Sequence, residues 1–201
     1  MKPLITVTKL GKKFGGDYII KDFNLVLYEN EIVVIMGRSG IGKSTLLNII
    51  GKLEPHDTGE IMYDDSVFDG IGVPFPFVFQ EMETLLPWKT VRQNIALVNP
   101  KASADSLDDL IESVGLTAHQ DKYPHELSGG MKQRVGIARA LICASKVLLM
   151  DEPFGSLDRE MRLRLQELLL SIQKKYALSI LFVTHDEEEA KQIGNRILTI
   201  E

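Results

Sequence analysis

Cysteine is nearly missing from this chain: Cys143 is the only one in 201 residues. No internal disulfide can form, and a reducing cytosol fits that usage. Its neighbours Leu141, Ile142 and Ala144 suggest a small buried apolar side chain. Long hydrophobic runs are missing too. No stretch approaches the roughly 18 apolar residues that a membrane helix requires. The start, Met1-Lys2-Pro3-Leu4-Ile5-Thr6, has no apolar core to act as a signal peptide. Both absences predict a protein that is soluble and cytosolic by itself. Surplus positive charge is the third lack. A net charge of −5 argues against a nucleic-acid partner, which calls for a basic face. What is present suffices for a good core: 44% of the residues are apolar, and 201 residues fit one domain with room for a subdomain.

The most informative stretch is Gly37-Arg38-Ser39-Gly40-Ile41-Gly42-Lys43-Ser44-Thr45, which reads G-x-x-x-x-G-K-[ST]. Before it, Glu31-Ile32-Val33-Val34-Ile35-Met36 is apolar and β-branched, the pattern of a buried parallel strand. After it, Ser44 to Ile50 opens a helix. The glycines let successive N–H groups turn inward on a phosphate, at the positive end of that helix. Lys43 supplies a mobile charge for the β- and γ-phosphates and Ser44 a hydroxyl for Mg²⁺. A glycine-rich turn could meet the pattern by chance, but strand before and helix after weigh against it. The chain is expected to bind a nucleoside triphosphate.

In chain order, Ile5-Thr6-Val7-Thr8 begins a strand, and Phe23, Leu25 and Leu27 alternate with Asn24, Val26 and Tyr28 in the period of an antiparallel one. Glu29-Asn30-Glu31 makes a turn. Phe14, between two lysines and two glycines, either anchors the sheet edge or stacks on a nucleotide base. Pro55–Gly59 turns into a strand from Glu60 to Tyr63. Phe77-Val78-Phe79 is a strand ending at Gln80, where open α/β sheets place their ligands. Gln80 is thus a candidate for the Mg²⁺ or water shell, or else a surface residue ending a strand. The sequence then changes to helix: Thr90 to Val98, and Leu107, Leu110, Ile111 and Val114 at helical spacing before Gly115. Residues 81–145 read as a helical subdomain inserted into a nucleotide-binding core of 1–80 and 146–201.

Within that insert, Leu127-Ser128-Gly129-Gly130-Met131-Lys132-Gln133-Arg134 starts a helix with a second anion-binding end. One compact fold rarely needs two such ends for one nucleotide, so each nucleotide fits between two copies of the chain. Val147–Met150 is an apolar strand that ends in Asp151 and Glu152. Asp151 is placed to hold Mg²⁺, and Glu152 to take a proton from the attacking water. Ser156-Leu157-Asp158 caps a helix whose apolar stripe is Met161, Leu165, Leu168, Leu169 and Ile172. Ser179–Thr184 is a core strand ending at His185, a candidate γ-phosphate contact. His56, His119 and His125 have no such setting and are expected on the surface.

Together these residues resemble the ATP-binding-cassette ATPases over essentially the whole chain. Gly37–Thr45 is similar to Walker A, Gln80 to the Q-loop, Leu127–Arg134 to the signature and Val147–Glu152 to Walker B. Ser156–Asp158 matches the D-loop and His185 the switch histidine. The resemblance implies an α/β P-loop core with a mainly parallel sheet, an N-terminal antiparallel β subdomain and the inserted helical subdomain. It implies Mg²⁺–ATP hydrolysis in a head-to-tail homodimer, where Ser128, Gly129 and Gly130 of one subunit touch the phosphate held by Lys43 of the other. The resemblance implies that Asp158 belongs to the same shared site. It also implies that Phe14 stacks on adenine. Arg38, and Leu85-Leu86-Pro87-Trp88-Lys89-Thr90-Val91 after Gln80, resemble importers of the nitrate, sulfonate and taurine group. In them the stretch after Gln80 receives a membrane permease, served by an external solute-binding protein, and the ATPase lies on the inner face of the cell membrane. Trp88 is either core filling or part of that groove. Three departures stand out: a short segment from Glu60 to Phe79, Asn195 where an Asp is common before Arg, and a chain that stops at Glu201. Rival readings are an exporter ATPase, or a cassette serving DNA maintenance or translation. Compact sequence between the motifs and a single cassette copy oppose the last two.

Overall fold

The computed structural model describes residues 2–68, 75–79 and 84–200. Among the described residues, eight strands and six α-helices run β1 (Pro3–Phe14), β2 (Asp17–Tyr28), β3 (Ile32–Met36), α1 (Lys43–Ile50), β4 (Thr58–Tyr63), β5 (Phe77–Val78), α2 (Val91–Ala96), α3 (Ala104–Ser113), α4 (Gly129–Leu141), β6 (Val147–Asp151), α5 (Arg159–Tyr176), β7 (Ser179–Thr184), α6 (Glu187–Ile193) and β8 (Arg196–Thr199). The strands form two sheets. One is antiparallel with order β2-β1-β4, and the other is parallel with order β5-β6-β7-β3-β8. This is the α/β architecture that the motifs imply.

The continuous apolar runs form the central strands because both faces of the parallel sheet are covered. Successive side chains point to opposite faces, so each run divides itself between two cores. Ile32, Val34, Leu148, Met150, Ile180 and Phe182 pack against the α2–α6 side. Val33, Ile35, Val147, Leu149, Leu181 and Val183 pack against α1 and the antiparallel sheet. β7 is buried at all six positions. Burying one such side chain stabilises the fold by about 1.5–3 kcal/mol.

Several expectations need correction. Trp88 is 69% exposed, so it is not core filling; the prolyl turn carries it outward, while Leu85 occupies the core instead. His119 is half-buried in the turn Thr117–His119, with Nδ1 enclosed. Cys143 is half-buried just past the end of α4, its Sγ 3.6 Å from the Arg139 carbonyl. The stripe of α5 also buries Gln166 and Gln173, while Met161 and Leu168 stay half-buried. Gln173 Nε2 donates to the carbonyls of Asn30 and Leu178, which a purely apolar pattern could not reveal.

Candidate active site

Parallel strands point their carboxyl ends the same way, so the loops after β3, β6 and β7 converge on one rim. The loop after β3 turns tightly: Gly40 and Gly42 have φ of +81° and +103°, a left-handed backbone open to glycine at little cost. Gly42 starts α1, and Lys43 is its first residue. The Lys43 side chain is buried and curls back over its own loop. Its Nζ donates to the Gly37 and Arg38 carbonyls at 2.9 and 3.0 Å. Arg38, Ser39 and the Ser44 side are exposed, whereas Ile41 and Thr45 are half-buried.

β6 ends at Asp151, and the backbone reverses at once: Glu152 has φ of +43°, unusual for a side-chain-bearing residue. Its N–H donates to the Val183 carbonyl at 3.0 Å, which fastens the reversal to β7. The turn delivers the Glu152 carboxylate between two other loops. Oε1 lies 3.3 Å from Lys43 Nζ, and Oε2 lies 2.8 Å from His185 Nδ1. Lys43, Glu152 and His185 are therefore brought together from three strands. Glu152 is mostly enclosed and His185 is open to solvent.

Asp151 stands beside this trio. Burial pushes its carboxyl pKa up; the Ser44 hydroxyl pulls it down, Glu152 adds to the rise, and Lys43 opposes it. One oxygen, Oδ1, is buried without a partner among the described residues. An orphaned carboxylate oxygen beside a hydroxyl suits a small hard cation, which prefers oxygen donors. Among the described residues, no cluster of three His, Cys, Asp or Glu could hold a metal alone. A Mg²⁺ ion here would complete its shell with phosphate and water oxygens, so these residues fit that ion.

Other sequence-predicted residues lie apart. Phe14 closes β1 opposite Asp17 across the Gly15-Gly16 turn and is 53% exposed, with Lys12 Nζ 5.3 Å from its ring centre. An exposed ring anchors no sheet, so that reading is dropped. Ser128 caps α4, its Oγ accepting from the Met131 N–H at 3.3 Å, and Asp158 caps α5 in the same manner at 2.9 Å. A Cβ at Gly130 would meet the Met161 side chain, so α4 and α5 lie close together there. Among the described residues, no hydrogen bond or ion pair ties 128–130 to the phosphate loop. Gln80 lies outside the described residues. Phe77, Phe79, Leu85, Gln133, Arg139 and Cys143, among others, line a groove of about 360 Å³.

Sequence reading passed over Arg162 and Asp186, whose side chains meet at 2.6 Å behind His185. The available signal was Asp186 itself, an N-cap before three glutamates in the first turn of α6.

Comparison with known proteins places this geometry in company. The ABC transporter family profile matches residues 20–155, more than half of the chain. The aliphatic sulfonates import ATP-binding protein SsuB 2 of Agrobacterium fabrum is 41% identical over 98% of this chain and 76% of its own length. The nitrate import ATP-binding protein NrtD of a Synechocystis species is 40% identical, over 98% of this chain and 77% of its own. Among solved structures, CbiO1 of Clostridium perfringens, part of the transporter complex CbiONQ, superposes with a TM-score of 0.88 at 26% identity. It matches all of this chain and 86% of that one. A bacterial ABC transporter cassette solved as a dimer gives 0.79 at 32% identity, covering 98% and 94%.

Proposed function

Since this chain belongs to the ABC transporter family, we propose that it is the ATP-hydrolysing subunit of an importer, in the group whose relatives are named for sulfonates and nitrate. The observation that carries the chemistry is the convergence of Lys43, Glu152 and His185. In this reading the phosphate loop cradles the β- and γ-phosphates with its N–H groups and Lys43. Glu152 accepts the proton of the attacking water, a contribution of roughly 10²–10⁴-fold. His185 holds Glu152 by one oxygen and faces the γ-phosphate. Ser44, Asp151 and Gln80 would hold Mg²⁺, which when bound offsets charge on the phosphate oxygens. Phe14 offers its exposed ring to the adenine.

The second anion-binding end, Ser128 to Gly130, is exposed at its tip and finds no partner on the phosphate loop of its own chain. That supports a head-to-tail homodimer in which the partner copy closes each site, with Asp158 at the seam. Residues 1–80 and 146–201 then form the core, and 81–145 the helical subdomain. The groove lined by Phe79, Leu85 and Arg139 suits a permease helix, and exposed Trp88 follows Leu85 closely in the chain. No helix among the described residues is long and apolar enough to cross a membrane, so attachment to the inner membrane face would come through that permease.

Phosphate release from Mg²⁺–ATP tests the reading. Glu152→Gln should retain nucleotide binding and shift to dimer with ATP, while hydrolysis falls by roughly 10²-fold or more. Undiminished hydrolysis would remove Glu152 from the role of base.

A further inference from the structure

Arg162 lies on the first turn of α5, its backbone N–H donating to the Asp158 carbonyl at 3.0 Å. Its guanidinium forks. Nη1 donates to Asp186 Oδ2 at 2.6 Å, and Nη2 donates to the Leu157 carbonyl at 3.4 Å. One rigid plane therefore grips two loops, the 156–158 stretch and the turn that carries His185. A flexible ammonium could not serve both at once.

The Asp186 end of this grip is fully committed. Its Oδ1 accepts from the N–H groups of Glu188 and Glu189 at 2.9 and 3.1 Å, and its own N–H donates to Thr184 Oγ1 at 3.1 Å. His185 thus sits between Thr184, held in β7, and Asp186, held by Arg162. Two further contacts cross from α5 to α6. Arg159–Glu188 is 3.9 Å long and wholly solvated, a kind of pair that contributes little. Gln166 donates to the buried Glu189 at 3.4 Å. Arg162–Asp186 is the half-buried central rung.

A plain tie between helices would lie anywhere along them. This one lines a cavity of about 100 Å³ together with Glu152, Thr184 and His185. We infer that Arg162 is a positioning residue for hydrolysis. It fixes the separation between the 156–158 stretch and the His185 loop, so that His185 meets Glu152 and a push on the first reaches the second. The inference rests on the reading of Glu152 and His185 given above.

The test compares Arg162→Met and Arg162→Lys with the unaltered chain. Steady-state ATPase kinetics give one readout. The His185 imidazole resonance, assigned by its loss in His185→Ala, gives another that needs no turnover. Arg162→Met should lower kcat by roughly 10–100-fold, the scale of a misplaced catalytic group, while KM for ATP stays put. The imidazole resonance should shift in the same variant. Arg162→Lys should recover part of both, because it restores charge at Asp186 without the second grip. An unmoved resonance, an unchanged kcat, or a loss that simply follows a lower melting temperature would overturn the inference. If the unaltered chain releases no phosphate, the hydrolytic reading itself fails, and the resonance alone then decides the role of Arg162.

Discussion

Asp151 bears the clearest cost of standing where it does. Its carboxyl is half-buried at the tip of β6 with one enclosed oxygen unpartnered among the described residues, and desolvation holds its pKa above the ordinary value of 3.8. A carboxyl raised on folding is penalised in its charged form. The penalty is complete above the folded pKa and gone below the unfolded one. Asp151→Asn should therefore melt higher than the unaltered chain at neutral pH with a chelator present, and the advantage should shrink as pH falls toward 4. Adding Mg²⁺ and ATP should reverse the order, since only the carboxylate gains from the cation. Thermal melts at several pH values check both halves. A residue that weakens the empty chain and strengthens the loaded one is the stability–function trade expected at a working site.

At the scale of the elements, one departure from the family pattern resolves into a specific bond. Asn195 Oδ1 accepts from the N–H of Ile32 at 2.7 Å, and Arg196 beside it pairs with Glu31 at 2.9 Å. Asparagine keeps the oxygen that an aspartate would offer. Asn195→Asp should be nearly neutral, whereas Asn195→Ala strands a buried donor at the start of β3 and should cost about 1–3 kcal/mol in chemical denaturation. The hairpin of β1 and β2 carries its own test. Its Gly15-Gly16 turn has φ of +61° and +101° and holds Phe14 out at the tip. Phe14→Ala should weaken nucleotide binding by about 1–3 kcal/mol in titration calorimetry, the range for base–aromatic stacking, and leave the melting temperature in place. Elements of this kind were legible because their signals are local: alternation, β-branched runs, a capping Ser or Asp, glycines at a turn. The trio of Lys43, Glu152 and His185 was legible because each ends a strand or starts a helix of recognisable pattern. Arg162 with Asp186, Gln173 with Asn30, and the outward Trp88 were not, since each depends on how separate elements cross.

At the scale of the molecule, the shared site is the idea most open to a decisive experiment. In the proposed homodimer, Ser128→Arg would set a bulky cation at the subunit boundary and should abolish hydrolysis while its own ATP binding survives. Lys43→Ala should lose ATP binding, because the loop forfeits its charge. A mixed dimer of the two concentrates both defects in one site and leaves the other intact, so mixing should restore part of the phosphate release. Hydrolysis by Ser128→Arg at the unaltered rate, independent of protein concentration, would refute the shared site. The strand order has a consequence of another kind, in time. β3, which carries the phosphate loop, lies between β7 and β8. Ile32 finds its acceptor 163 residues further on. During synthesis the loop motif thus leaves the ribosome long before the partners of its strand exist, and an apolar, unpaired strand waits in the nascent chain. Such distant pairing folds slowly and invites aggregation meanwhile. A chain halted before residue 179 would carry the whole phosphate-loop sequence and lack the fold that gives it a grip on ATP.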